Sequence, residues 1–283
     1  MGKKMAISRQ RIHVYPHRID TYFESPLHLF VLNHTSPFHV VSAELGGILE
    51  EDFFETEIIV EPHASLWLST QEATKLLAMP SGSARHDWHI ILKDHAQLVS
   101  IPHAIIPYAQ SDYTQIVTCE LGHHATLIWA EELVAGRIAH GERFQFRHFH
   151  SRLTVMQGHS PDPIYHENLC FKPFEQTLHH DGNWEQFTAW GSLLVMDSEH
   201  IASSPDMLPL DYSHDVRRAP YQFGHESRSD KISEMPRQYQ GISPIRGGYL
   251  WRMMSEEPQI VHDSLHKAIN QRRDTHTSNV VFP

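Results

Sequence analysis

Hydrophobic and polar residues alternate with period two along most of the chain. "FETEIIV" (54–60) places Phe54, Thr56, Ile58 and Val60 on one face and Glu55, Glu57 and Ile59 on the other. "DWHIIL" (87–92) alternates Trp88, Ile90 and Leu92, and "YTQIVTCEL" (113–121) sends Tyr113, Val117, Cys119 and Leu121 one way and Thr114, Thr118 and Glu120 the other. Such alternation, rich in β-branched and aromatic residues from about residue 12 to 200, predicts strands with one buried face. Three segments, "VEPHASLWL" (60–68), "LKDHAQLVS" (92–100) and "GHHATLIW" (122–129), each run from a strand through a polar turn into His-Ala and a new strand. Their histidines, His63, His95 and His124, are 32 and 29 residues apart. Two readings stay open: stacked strand–turn–strand units, or recurrence among ordinary hairpins. Both put these histidines at turns.

The pattern changes after residue 200. Residues 201–247 are polar and punctuated by proline, and they predict long loops with one short helix. "GGYLWRMM" (247–254) predicts a final strand, and "SEEPQIVHDSLHKAINQRR" (255–273) predicts a helix. Ser255 is its expected cap and Pro258 lies in its first turn. Ile260, Val261, Leu265, Ala268 and Ile269 make its apolar stripe, with acids leading and Lys267, Arg272 and Arg273 closing. That stripe can pack on the protein's own sheet or dock a partner. The expected fold is mostly β, in stacked β-sheets of β-helix-like or sandwich form, with few helices and one at the C-terminus. One domain covers 1–283, with a core at about 12–200, a loop-rich stretch at 201–247, and a strand and helix at 248–273.

Composition narrows the function. The formal charge is 23 − 34 = −11, and without clustered Lys and Arg this excludes a nucleic-acid partner. Cys119 and Cys170 form neither a C-x-x-C pair nor a zinc array. No segment reads as a secretory leader or membrane span, so a cytoplasmic location and no membrane partner are expected. Histidine is abundant, 25 of 283 residues. This fits either a solvated His-rich surface or contact with transition metals.

The familiar catalytic patterns are missing. The sequence has no G-x-x-x-x-G-K-[ST], no G-x-S-x-G and no H-E-x-x-H, and Pro16 breaks the helix that would align His13 with His17. In "RHFHS", His148 and His150 share one face of a strand, as a cupin-type metal site begins, but no carboxylate follows in Ser151–Val155. A cupin-like β-sandwich metal enzyme is the alternative this pair supports; the plain reading is two polar residues on a wet face. "EELVAGRIAHGERF" (131–144) could be a phosphate loop, an active-site corner or a hairpin turn. "RFQF" (143–146) alternates like a second strand, which favours the hairpin.

Several segments together resemble the UreD/UreH family of urease accessory proteins, from about residue 12 to 273 and most strongly between 44 and 170. "ELGGILEED" is similar to the family's Gly-Gly motif followed by an aspartate, Asp52, although Glu51 stands where the family often has glycine. "LSTQEATKLL" matches at Thr70, Gln71, Ala73, Thr74 and Lys75; "IPHAIIPYAQSDYTQ" matches at Pro102, Ile106, Pro107, Tyr108 and Gln115. Gly136, Arg137, Gly141 and Glu142 carry a Gly-Arg…Gly-Glu signature, and "RLTV…YHENL" brings Glu167 to an acidic family position. The order and spacing of these motifs are specific where each alone is not.

The resemblance implies a non-enzymatic urease maturation factor. Such a scaffold binds apo-urease, a helical accessory protein of UreF type and a nickel-carrying GTPase of UreG type. It implies no tightly bound cofactor and no tight metal site, only transient nickel. Asp52, Thr74, Glu131 and Glu167 fall at positions associated with a wet internal metal route; each acid could equally be a solvated surface group. Gly136, Arg137, Gly141, Glu142 and Lys75 are motif or partner-surface candidates. Carboxylates suit such a route because they bind nickel weakly and exchange it, whereas thiolates or clustered imidazoles would retain it.

Overall fold

A computed structural model describes residues 7–158, 160, 162–178, 180, 183–197 and 236–276, with 271–276 described by their backbone. The period-two segments 54–60, 87–92 and 113–121 become strands, because only an extended chain carries every second side chain to the same side. In chain order the first nine are β1 (Ile7–Val14), β2 (Ile19–Phe23), β3 (Leu27–Asn33), β4 (Phe38–Glu44), β5 (Phe53–Val60), β6 (Ser65–Thr70), β7 (Thr74–Leu76), β8 (Ala84–Leu92) and β9 (Gln97–Ile101). Then follow β10 (Ile105–Pro107), β11 (Asp112–Leu121), β12 (Thr126–Val134), β13 (His148–Gln157), β14 (Pro163–Phe171), β15 (Ala189–Asp197), β16 (Gln238–Ile245), β17 (Gly248–Ser255) and helix α1 (Pro258–His276).

Two sheets stack face to face. One has the order β14-β13-β11-β8-β5-β1-β2; the other runs β16-β17-β15-β12-β9-β6-β4-β3, with β7 and β10 at its side. From β4 to β13 the chain passes back and forth between the two sheets, with β7 and β10 following β6 and β9 beside the second. Hence β1, β5, β8, β11 and β13 run parallel in the first sheet, and β4, β6, β9 and β12 run parallel in the second. The result is a solenoid, closed at its ends by antiparallel strands. Register stacks like on like: Ile12, Ile58, Ile90, Cys119 and Val155 form one buried row across the first sheet.

The three His-Ala segments are one turn repeated. The alanine N–H donates to the carbonyl of Glu61, Lys93 and Gly122 in the successive turns. Ala64, Ala96 and Ala125 are fully buried. The preceding histidines are exposed, adopt φ of 62°, 60° and 55°, and stack with ring centroids 4.7 and 4.8 Å apart. That separation is the spacing of neighbouring strands. Histidine tolerates the left-handed conformation better than most residues with a Cβ.

Three expectations are corrected. Residues 135–147 form no hairpin: β12 lies in the second sheet and β13 in the first, and the loop carries the chain between them. "RFQF" is not a strand; Phe144 takes φ 54° and both Phe144 and Phe146 bury in the core, so their alternation reflects packing and not pairing. Within the stretch expected to be loop, Gln238–Ile245 is strand β16. It lies at the edge of its sheet, where Pro244 costs no ladder hydrogen bond on the open side. The short helix expected between 201 and 247 finds no place in 236–247, and 198–235 lie outside the described residues.

Helix α1 spends its stripe on the protein itself. Val261, Leu265 and Ile269 are buried against β15 and β17, in a cluster with Leu193, Val195, Trp251 and Met253. Gly191 on β15 permits the approach, since a Cβ there would lie 2.5 Å from Val261 Cγ1. Ser255 ends β17; its Oγ accepts the Glu257 N–H at 3.1 Å, one residue before the helix starts at Pro258.

Candidate functional site

The space between the sheets is apolar at both ends and polar in the middle. Along β5 the inward residues are Phe54, Thr56 and Ile58; along β8, Ala84, His86 and Trp88; along β11, Tyr113, Gln115 and Val117; along β13, Phe149, Ser151 and Leu153. In each, the first residue belongs to one apolar cluster and the third to the other. β12 supplies Trp129, Glu131 and Leu133 from the facing sheet in the same manner. Gln10 and Ser42 extend the layer, so a band of buried polar side chains crosses the solenoid between two hydrophobic cores.

Hydrogen bonds knit the band together. Gln10 Nε2 donates to Thr56 Oγ1 at 2.8 Å, and Thr56 Oγ1 meets His86 Nε2 at 2.7 Å. Gln115 Nε2 and Ser151 Oγ both donate to Glu131 Oε1, at 2.9 and 2.8 Å. Thr74 Oγ1 donates to Glu44 Oε2 at 3.3 Å. Burial dominates the electrostatics. It pushes Glu131 up to about 7, with nearby Glu167 adding to the rise, and it lowers His86 to about 3, leaving a neutral ring. Burial also raises Glu44 against the Thr74 hydrogen bond.

A cavity of about 50 Å³ opens within the band, lined by Glu44, Thr74, His86, Gln115, Glu131 and Glu132 among others. Most of its wall is apolar, from residues such as Leu68, Trp88, Ile105 and Trp129, with the polar groups set into it. A second opening of about 80 Å³ shares Glu44 and Thr74 and is bounded by Gly46, Gly47, Glu72 and Lys75. On the far side, Glu167 lines a groove of about 440 Å³ with Tyr165, Asn168, Trp190 and Arg252. Its carboxylate accepts from Tyr165 Oη at 2.8 Å and pairs with Arg252.

Of the residues expected from sequence, Thr74 and Glu131 line one cavity, and Glu167 stands beyond Glu131. Asp52 is apart from them: its Oδ2 accepts the Leu49 N–H at 2.7 Å and closes its own turn, where burial raises its pKa. Glu51 beside it adopts φ 70°, the conformation that favours glycine. Lys75 pairs with Glu72 at 2.7 Å, and its carbonyl packs on Gly47, where a Cβ would lie 2.9 Å away. In the loop between sheets, Arg137 Nε donates to Glu142 Oε2 at 2.8 Å and the guanidinium lies over Tyr108. Gly136 abuts the Glu142 carbonyl, and Gly141 takes φ 75° at the end of a short 3-10 turn.

His148 and His150 do share the outer face of β13. His148 Nδ1 meets Asp112 Oδ1 at 3.2 Å and its Nε2 lies 3.6 Å from Cys170 Sγ; His150 Nε2 meets Asn168 Oδ1 at 2.6 Å. Among the described residues, no three His, Cys, Asp or Glu side chains stand ready to hold a metal ion. No described helix is long and apolar enough to cross a membrane. Sequence reasoning missed Glu44, Ser151 and His86, and it matched Gln115 to a family motif without giving it a place in the site. The available signal was a polar residue at an inward position of several adjacent strands.

A family profile described as "UreD urease accessory protein" matches residues 6–281. The chain is 24% identical over 186 residues to "Urease accessory protein UreH" of Helicobacter pylori strain G27, covering 63% of the chain and 68% of that protein. It is 30% identical over 178 residues to "Urease accessory protein UreD" of Acetivibrio thermocellus, covering 62% and 67% respectively. It is 31% identical over 152 residues to the protein of that name in Actinobacillus pleuropneumoniae serotype 3, covering 53% of the chain and a little over half, 56%, of the relative.

Proposed function

We propose that this chain, which belongs to the UreD urease accessory protein family, binds apo-urease together with partner accessory proteins and passes nickel through its interior. The family places it in urease maturation. The partners we assign are a helical protein of UreF type and a nickel-carrying GTPase of UreG type. The observation that supports an internal route is the polar band itself. Glu131 is buried between two half-buried acids, Glu44 and Glu167, and burying a carboxylate costs stability that the fold alone does not call for. Glu44, Glu131 and Glu167 come from β4, β12 and β14 and lie successively across the molecule.

A divalent ion between low-dielectric walls needs charge or water at each step. Glu131, which burial pushes up to about 7, can supply charge when the ion arrives and take up a proton when it leaves. Hydroxyl and amide oxygens of Thr74, Ser151 and Gln115 offer weak ligands between them. With no tight site inside the band, the ion moves on. Arg137, Glu142 and Lys75, outside it, are proposed as partner-facing groups.

Association is tested by co-purification. The tagged chain, produced with urease subunits and the two accessory proteins, is expected to retain apo-urease. Recovery of the chain free of urease under these conditions would overturn the assignment.

A further inference from the structure

Asp112, His148 and Cys170 lie side by side on the outer face of the first sheet. The register of three adjacent strands puts them there. Asp112 of β11 stands opposite His148 of β13, and Cys170 of β14 stands opposite His150, the next outward position. Phe149 and Phe171, their neighbours in sequence, turn inward to the core. His148 Nδ1 meets Asp112 Oδ1 at 3.2 Å, and Cys170 Sγ lies 3.6 Å from His148 Nε2. Arg147 Nη2 pairs with the other carboxylate oxygen of Asp112 at 3.1 Å. Cys170 is a free, half-buried thiol.

We propose that Cys170 is a nucleophilic thiol, activated by His148 and positioned through Asp112, that hydroperoxides oxidise to a sulfenic acid. The tautomer supports it first. An ionised carboxylate only accepts, so the proton of a neutral His148 ring sits on Nδ1 and the Nε2 lone pair faces the thiol. A nucleophile within reach of a base, with the base oriented by a third group, is the pattern of an activated thiol. The arrangement is complete as it stands and asks for no movement of a side chain.

The open surroundings select the electrophile. None of the three openings described above is bounded by His148 or Cys170. A hydroperoxide needs no pocket, only a thiolate and a proton for its leaving oxygen. His148 takes the thiol proton, the sulfur attacks one peroxide oxygen, an S–O bond forms and the O–O bond breaks. The departing oxygen takes the proton from the imidazolium and leaves as water or an alcohol. Sulfur is oxidised and the peroxide is reduced. The other cysteine, Cys119, is buried on the inward side of β11. A small thiol from solution therefore draws off the sulfenic acid, giving a mixed disulfide and water. The polar band lies between the sheets and this relay lies outside them, so the inference does not rest on the maturation reading.

Peroxide labelling of the full chain tests it. Hydrogen peroxide is added to the reduced protein at pH 7.5 with a cyclic diketone that traps sulfenic acids, and the labelled cysteine is read by mass spectrometry. Label is expected on Cys170 and not on Cys119. H148Q should slow labelling at least about tenfold, and D112N should slow it as well. Between about pH 6.5 and 8.5 the rate in H148Q should climb more steeply than in the unaltered chain, because only solvent remains to take the thiol proton. A residue that merely packs beside Cys170 would leave that slope unchanged. H150Q, which keeps the relay, should react at the unaltered rate. Circular dichroism establishes that each variant is folded; should D112N fail to fold, H148Q and H150Q carry the test. An unlabelled Cys170 would overturn the proposal, as would an unaltered rate in folded H148Q or an equal fall in H150Q.

Discussion

Glu131 and Glu132 are consecutive on β12 and face opposite ways. Glu131 accepts hydrogen bonds from Gln115 and Ser151 between the sheets, while Glu132 meets His262 of α1, and both acids border the same cavity. Both are pushed up to about 7 by burial. One strand thus presents an acid to the interior band and another to the helix that covers the sheet.

The buried Glu131 makes stability depend on pH. Its folded pKa, about 7, lies above the ordinary 4.5, so between these values the folded state holds a proton that the unfolded state has lost. Stability therefore falls as pH rises through this window and levels off above it. Glu131→Gln mimics the protonated acid. At pH 8 it should be more stable than the unaltered chain by on the order of 3 kcal/mol, with the advantage gone by pH 4.5. Urea unfolding across that range checks this; equal stability at both ends would show that the charge is already compensated.

Glu51 occupies a conformation that costs an L-residue about 1–2 kcal/mol. Comparing Glu51→Gly with Glu51→Ala isolates the Cβ. The glycine variant should be the more stable by about 1 kcal/mol in denaturant melts, part of the strain relief being offset by glycine's freedom in the unfolded chain. A more stable alanine variant would mean that the turn relaxes without cost.

Gly136 carries φ 132° and leaves no room for a methyl group, since a Cβ would sit 2.7 Å from the Glu142 carbonyl. Gly136→Ala should lower stability by about 1–3 kcal/mol. Gly141→Asn, in open space at φ 75°, should change it by under about 1 kcal/mol. Similar melting temperatures for the two would contradict the packing described for this loop.

Leu265 is 2% exposed beneath α1. Leu265→Asp places a charge there without a partner, and about 3 kcal/mol or more should be lost in thermal or urea unfolding. An unchanged melt would mean that the helix is free to dock elsewhere.

The repeating part of this fold was legible because each coil buries one face, so β5, β8 and β11 announce themselves by alternation. Pairing was not legible. "RFQF" alternates locally, but whether a segment joins a ladder depends on which sheet its neighbours occupy. β16 was hidden by Pro244, harmless only because the strand lies at an edge. Thr74, Glu131 and Glu167 were reached through the family motifs, which also held Gln115 without a role, while Ser151 sat unremarked at an inward position. Glu132 and His262 are 130 residues apart, and only the folded chain brings them together.

Nickel content of urease assembled in cells tests the internal route most directly. Glu44→Gln, Glu131→Gln and Glu167→Gln are made separately, and nickel per urease is measured beside the amount of co-purified accessory complex. The account predicts an intact complex with urease low in nickel and in activity for each. Asp52→Ala, which opens a turn, should act through lower soluble yield of the chain. Normal nickel content in all three carboxylate variants, with the complex intact, would contradict the route and leave the protein a scaffold alone.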